Sequence, residues 1–412
     1  MRIGKALGSS LLLSMAVFAQ PSEEIKQLRE EMEVLKEELR RLRLEISMPE
    51  VKVYEKYSGL GPAASKALLN PKGVSIGGYG EIPLEYNPDK RPRTEFDTYR
   101  VILYLGYAFD EKLKFNSEIE FEHVDELAVE FAFLDYRFKK ELGLRGGLLM
   151  IPIGIVNEVH EPPTFMPVNR PYLERNLIPT LWRENGVGIY GSVGNFSYNA
   201  YIINGMSTRN PDKFKNSAPL YGLRQQGKEA ASDSPAFAGR VEYSLPKGAL
   251  ISASVVITGV QDKNGDTLGR IDVFSPKFEW QYAGFDIRAL GFLASVEGAE
   301  KITSSLRSGG AGDAVFPESM RGFYVQVAYN VLRFTDIEQE LYLFGLFEYI
   351  NTHADVPANY SKPEGSELNI YNFGISYKPH PLIALKADYV REDYGDEKED
   401  QDIYRTAITW MF

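Results

Sequence analysis

Cysteine is absent from all 412 residues, and histidine occurs only four times. Without thiols there is no disulfide framework, no thiolate metal site and no cysteine nucleophile. The histidines, at 123, 160, 353 and 380, stand in no metal-ligand spacing, and no GxSxG, HExxH or phosphate-binding glycine loop occurs. Carboxylates are plentiful, but no pattern pairs two of them for acid–base work. Asp262, Asn264 and Asp266 carry the first spacings of a calcium loop. Gly265 comes one place early, however, and Thr267 and Val273 stand where glycine and a bidentate carboxylate are needed, so a plain hairpin loop is expected. No catalytic residue, cofactor or metal site is therefore expected, and the reading is not that of an enzyme. Long hydrophobic runs are also missing. Nothing approaches the roughly 20 apolar residues of a spanning helix, which excludes a helical membrane protein. Positive charge is in deficit, with 46 Lys and Arg against 57 Asp and Glu and a net charge of -11. That argues against nucleic acid as a partner.

What is present is 25 Tyr, 23 Phe and 36 Gly in a chain that is 44% hydrophobic, a mixture suited to many strands with aromatic edges and tight turns. Residues 1–19 place Arg2 and Lys5 ahead of an apolar run from Leu11 to Phe18, with small residues at Val17 and Ala19. This predicts a secretory signal peptide cut after Ala19. Residues 20–48 then put Ile25, Leu28, Met32, Leu35, Leu39, Leu42 and Ile46 at alternating spacings of three and four. That is the seam of an α-helical coiled coil, with Glu31 able to meet Lys36, and Glu38 Arg43, on a parallel neighbour. The mixed seam leaves dimer and trimer both open. Residues 49–72, with Gly59, Gly61, Pro62 and Pro71, read as a linker.

From residue 73 onward the apolar period changes to 2. Sixteen strands are predicted, the first at 74–87 and the last at 402–412. Every connection from an even strand to the next odd one is short or fairly short, whereas the others include long stretches such as 205–235, 298–318 and 352–366. An even count with short turns at one end and long loops at the other predicts an all-β protein, a 16-stranded antiparallel transmembrane barrel over 73–412. The alternation assigns faces as well. Tyr404, Thr406, Ile408, Trp410 and Phe412 oppose Ile403, Arg405, Ala407 and Thr409, and Phe237, Val241 and Tyr243 oppose Arg240 and Glu242. An apolar face ending in aromatics against a charged one is a lipid wall around a wet interior.

One connection stands apart. Residues 152–182 are long, carry six prolines and lie between two strands. A structureless stretch of this length is usually functional, and inside a barrel it can fold back and narrow the lumen. The constriction would then carry Glu158, His160, Glu161, Arg170, Glu174 and Arg175, followed by Arg183 and Glu184. Charges of both signs on opposing walls set up a transverse field that filters ions; the same charges could equally pair with one another and pin the loop. Inward-facing positions on the strands include Arg100, Arg240, Arg288, Lys386 and Arg405, against acids such as Glu118 and Glu120.

The blocks GGYGEIPLEYN at 77–87 and HEPPTFMPVNRPYLERNLIPTLWRENGVGIYG at 160–191, with the heptads and the terminal Phe412, resemble the phosphate-selective porins O and P and their relatives. The resemblance spans 73–412. It implies a sixteen-stranded barrel, usually a homotrimer, with its third outer loop folded inward. Phosphate-selective members line the lumen with a basic ladder, whereas here inward acids match inward bases, so any preference for anions such as phosphate falls to the constriction arginines. The expected function is passive diffusion of small hydrophilic solutes or ions across the bacterial outer membrane. The barrel would meet lipid and lipopolysaccharide, and the coiled coil would lie in the periplasm. The alternative is a structural anchor whose helices tether the outer membrane across the periplasm.

Overall fold

Period-2 alternation lets a strand turn one face to an apolar surround and the other to a polar interior, provided the sheet closes on itself and leaves no unpaired edge. The computed structural model of the chain, which describes residues 23–45, 59–395 and 398–412, builds such a sheet. Its strands are β1 (Gly73–Tyr86), β2 (Arg100–Ala108), β3 (Leu113–Glu122), β4 (Glu126–Lys139), β5 (Leu142–Met150), β6 (Arg183–Val193), β7 (Phe196–Asn204) and β8 (Pro235–Ser244). The second half comprises β9 (Ala249–Gln261), β10 (Thr267–Tyr282), β11 (Phe285–Glu297), β12 (Ser319–Asn330), β13 (Glu340–Asp355), β14 (Glu367–His380), β15 (Ile383–Tyr394) and β16 (Gln401–Met411). Each pairs antiparallel with the next. β16 pairs with β1 from Tyr79↔Met411 to Tyr86↔Tyr404, which closes the barrel.

Connections 109–112, 140–141, 194–195, 245–248, 283–284, 331–339 and 381–382 lie at one end, together with both termini of the barrel. The long ones, 87–99, 151–182, 205–234, 298–318 and 356–366, lie at the other. At 283–284 both Ala283 (φ 55°) and Gly284 (φ 86°) take left-handed backbone, the turn that matches the twist of the flanking strands. A β-bulge sets Glu118 against Phe131 and Ile119 against Val129, so the extra residue Glu130 turns inward beside Phe131.

The faces follow the alternation. Val101, Val241, Val325 and Ile408 are exposed on the outside, whereas Arg100, Arg240, Gln326 and Arg405 are buried inside. Aromatics gather at both rims of the outer belt. Phe196 packs on Tyr243 and Phe285 on Tyr329 at the short-turn end, and Tyr389 and Tyr86 both contact Tyr404 at the other. An apolar belt between two aromatic girdles is the surface of a transmembrane barrel.

Three α-helices occur among the described residues. α1 (Glu23–Glu45) belongs to a separate unit, Met1–Ile46, and exposes Leu28, Met32, Val34 and Leu35. The signal peptide, the seam residue Ile46 and the first part of the expected linker lie outside the described residues, and the side chains of Ile25, Leu39 and Leu42 are likewise not described. The rest of that linker is corrected. Residues 62–69 form α2 (Pro62–Leu69), whose Pro62, Ala63, Ala64, Ser65, Ala67 and Leu68 are all buried. Proline at the first helical position and six small or apolar residues make a helix that is stable only where something covers it. α3 (Ala299–Ser308) lies in the connection after β11 and buries Ile302 and Leu306.

Candidate pore constriction

Residues 151–182 leave β5 and return to β6 through a neck that one side chain ties shut. The Ile151 amide donates to the Trp182 carbonyl at 2.9 Å. Asn157 donates from Nδ2 to the carbonyls of Ile151 (2.8 Å) and Trp182 (3.1 Å), and its Oδ1 accepts the Trp182 amide at 2.8 Å. Beyond the neck the loop is buried almost throughout. Its backbone polar groups therefore need partners, and charged side chains of the far wall supply them. Glu348 accepts the amides of Tyr172 and Leu173 at 2.9 and 2.8 Å, and Asp388 accepts that of Val168 at 2.8 Å. Lys386 donates to the carbonyls of Pro162 and Pro167 at 2.6 and 2.9 Å, and Arg288 to that of Thr164 at 2.8 Å. Leu173 and Leu177 rest on Gly322 of β12, where a Cβ would leave them no room.

Several of the charges expected at the constriction have partners of this kind. Glu174 accepts the amides of Ile155 and Val156 at 2.8 and 2.7 Å and the Tyr324 hydroxyl at 2.7 Å. Glu158 pairs with Arg240 of β8. Glu184 accepts from Asn204 at 2.5 Å and from the Gln225 amide at 2.9 Å, which pins the connection 205–234. His160, fully buried, faces the Asn157 carbonyl through Nδ1 at 3.1 Å and Glu118 through Nε2 at 3.0 Å. A carbonyl only accepts, so Nδ1 carries a proton there. Burial, then the Arg170 cation, pull this imidazole down to about 3, leaving it neutral at physiological pH. Glu161 accepts the amides of Ala63 and Ala64, so α2 lies against the loop.

The remaining three, Arg170, Arg175 and Arg183, line a cavity of about 680 Å³ bordered by residues of the long-loop end. Its acids stand mainly on β1, β3 and β4, at Glu81, Glu85, Glu120, Glu122 and Glu130. Its guanidiniums come mainly from the loop, from Arg224 of the next long connection and from Arg405 of β16. Arg183 pairs with Glu130 at 3.1 Å, Arg100 with Glu81 at 2.8 Å, and Arg405 with Asp388 at 2.7 Å. Arg175 stacks on Tyr172, its centre 4.1 Å from the ring. Burial and the nearby Arg405 cation lower it to about 10, and burial brings Arg224 to a similar value. Arg170 is only 5% exposed, and neither of its terminal nitrogens has a hydrogen-bond partner among the described residues.

Two smaller cavities, of about 410 and about 280 Å³, sit toward the short-turn end and share no lining residue with the first. Ile155 and Val159 of the loop border both. The lumen is thus divided by the loop and α2. Sequence reasoning found the loop and missed the helix; its one signal was Pro62 ahead of Ala-Ala-Ser-Lys-Ala-Leu-Leu. Arg224 was missed too, because nothing local marks which residue of a long connection turns inward.

A closed sixteen-stranded antiparallel barrel with an apolar belt and an inward-folded loop is the architecture of the outer-membrane porins. Solved structures agree at the level of fold. OmpF of Salmonella typhi, in complex with daunomycin, matches with a TM-score of 0.54 at 14% identity, covering 83% of this chain and 98% of that one. The anion-selective porin of Comamonas acidovorans matches with a TM-score of 0.52 at 11% identity, covering 83% and 100%. OmpT of Vibrio cholerae with loop L8 deleted, an outer membrane protein, also gives 0.52, at 12% identity and the same coverage. An uncharacterized protein of Aquifex aeolicus (strain VF5) is 60% identical over 383 residues, 90% of this chain and 87% of its own length, and the chain belongs to its family. No family model matches the chain.

Proposed function

We propose that the protein is a passive channel of the bacterial outer membrane, admitting small hydrophilic solutes or ions into the 680 Å³ vestibule and favouring anions such as phosphate at its floor. The observation that carries the reading is Arg170. A buried guanidinium with unsatisfied donors, facing a water-accessible cavity lined by both guanidiniums and carboxylates, is stabilised by a visiting anion that its donors can reach. Arg175, Arg183 and Arg224 add to the same field, and the carboxylates opposite make it transverse. The resemblance of 160–191 to phosphate-selective porins supports the same choice. The short-turn end faces the periplasm in this reading, the rim aromatics meet lipid and lipopolysaccharide, and copies associate as a homotrimer through barrel walls and the seam from Ile25 to Ile46.

The test is reversal potential across a salt gradient in a planar bilayer, using the full mature chain. Anion preference is expected, and Arg170→Gln is expected to lower the anion-to-cation permeability ratio several-fold, with heat-dependent gel mobility showing that the barrel is folded. Cation preference in the unmodified chain would overturn the anion reading.

The division of the lumen favours a second reading, an outer-membrane anchor whose amino-terminal helices tether the membrane across the periplasm. A chain that passes no ions in any form would establish it in place of the channel.

A further inference from the structure

The loop and α2 close the lumen one beneath the other, and the inward side chains of β3 show the order. Glu122 and Glu120 border the vestibule, Glu118 meets His160 of the loop, and Asn116 and Lys114 hold the helix. Asn116 donates to the Ala64 carbonyl at 2.8 Å and Lys114 to that of Leu68. The wall is shaped for the helix. On the inward face of β1 and β2, Gly77 and Gly106 lie against Ala63 and Ala67, and a Cβ at 106 would overlap Ala67.

One group serves both closures. The N-cap position of α2 is Gly61, which has no side chain to cap with, so the first amides of the helix depend on outside help. Glu161 of the loop supplies it, its Oε1 accepting the amides of Ala63 and Ala64 at 3.1 and 3.3 Å. The Glu161 carboxylate is fully buried, and its Oε2 has no hydrogen-bond partner among the described residues. Those two amides tie it to the helix. We propose that α2 is a releasable stopper that latches the constriction loop. While α2 is seated, Glu161 is satisfied and the loop stays across the lumen. When α2 withdraws, Glu161 loses those two donors and opens onto the space α2 had filled, the loop loses the contact that ties it to the helix, and the vestibule then joins the cavities below. The grip is light. Eight residues, three of them alanine, do not persist as a helix once uncovered, so withdrawal and unwinding go together.

This inference rests on the channel reading, and conductance of the full mature chain in planar bilayers separates the two. Gly106→Val denies α2 its seat, Glu161→Ala removes the latch, and replacing 62–69 with an equal length of Gly and Ser removes the stopper without touching a strand. Each is expected to raise conductance several-fold over the unmodified chain, and Gly106→Val combined with Glu161→Ala to raise it no further than either alone. Retained heat-dependent gel mobility shows that the barrel is folded. If Gly106→Val does not fold, the replaced segment decides. Should the helix variants conduct like the unmodified chain, or only Glu161→Ala open it, the stopper is wrong and the channel stands. Should nothing conduct, the channel reading falls and takes the stopper with it.

Discussion

Asn157 shows how much of a long loop can depend on one side chain. It holds both ends of 151–182 through three hydrogen bonds, all buried. Asn157→Ala leaves the buried Trp182 amide without its partner, while the Ile151 and Trp182 carbonyls keep the Ile153 and Ile151 amides, and is expected to cost about 1–3 kcal/mol, read as a lower urea midpoint for unfolding from detergent micelles. His160 makes a pH-dependent contribution of definite sign. Its value in the folded protein, about 3, lies below the ordinary 6.5, so between these limits the unfolded chain binds the proton that the folded one refuses. Stability is therefore full above about pH 6.5 and declines as pH falls toward 3. Urea midpoints at pH 7 and pH 4 should differ more in the unmodified chain than in His160→Gln. None of this was legible in the sequence. Glu158, His160, Glu161, Glu174, Arg170 and Arg175 look alike in a list of loop charges. What separates an anchor from a vestibule cation is where the loop lands, and its landing points, Glu348 and Asp388, lie far along the chain.

At the scale of elements, the strands were readable because each carries its own signal. Apolar and polar residues alternate from Gly73 to Met411, and the lipid face and the lumen demand opposite chemistry at every step. The constriction loop was readable for the complementary reason, a proline-rich interruption between two alternating runs. α2 was not, since its eight residues are too few to show a period and its burial is supplied by the barrel and the loop. α1 carries the heptad pattern and exposes Leu28, Met32 and Leu35, which a second copy would cover. If the seam holds the proposed homotrimer together, deleting 20–48 is expected to shift it toward monomer, measured by light scattering in detergent. An undiminished oligomer would assign association to the barrel walls.

At the scale of the whole molecule, the barrel is stable only in an apolar surround, because its exposed large hydrophobic residues form a continuous belt. Val325 lies in this belt on β12, 41% exposed and facing out. Val325→Arg is expected to destabilise the barrel by about 2–4 kcal/mol if the site lies near the bilayer midplane, measured as equilibrium unfolding in lipid vesicles. The vestibule, the loop layer and the helix layer are stacked inside this wall, so the proposed channel would select a solute and admit it at different depths. On the proposed reading, a change at Arg170 would alter what is preferred, whereas a change at Gly106 would alter how often anything passes.

The glycines on the inner wall have a use beyond this barrel. Gly77 and Gly106 lie opposite α2, and Gly322 lies under Leu173 and Leu177. All three occupy the inward phase of their strands, where a water-filled interior would tolerate any polar side chain. They form a mould of the lumen's contents, recorded in the strands rather than in the segments that fill it. In a related barrel, glycines recurring at the inward phase would therefore mark where a helix or loop once packed or still packs, even when that segment has changed beyond recognition.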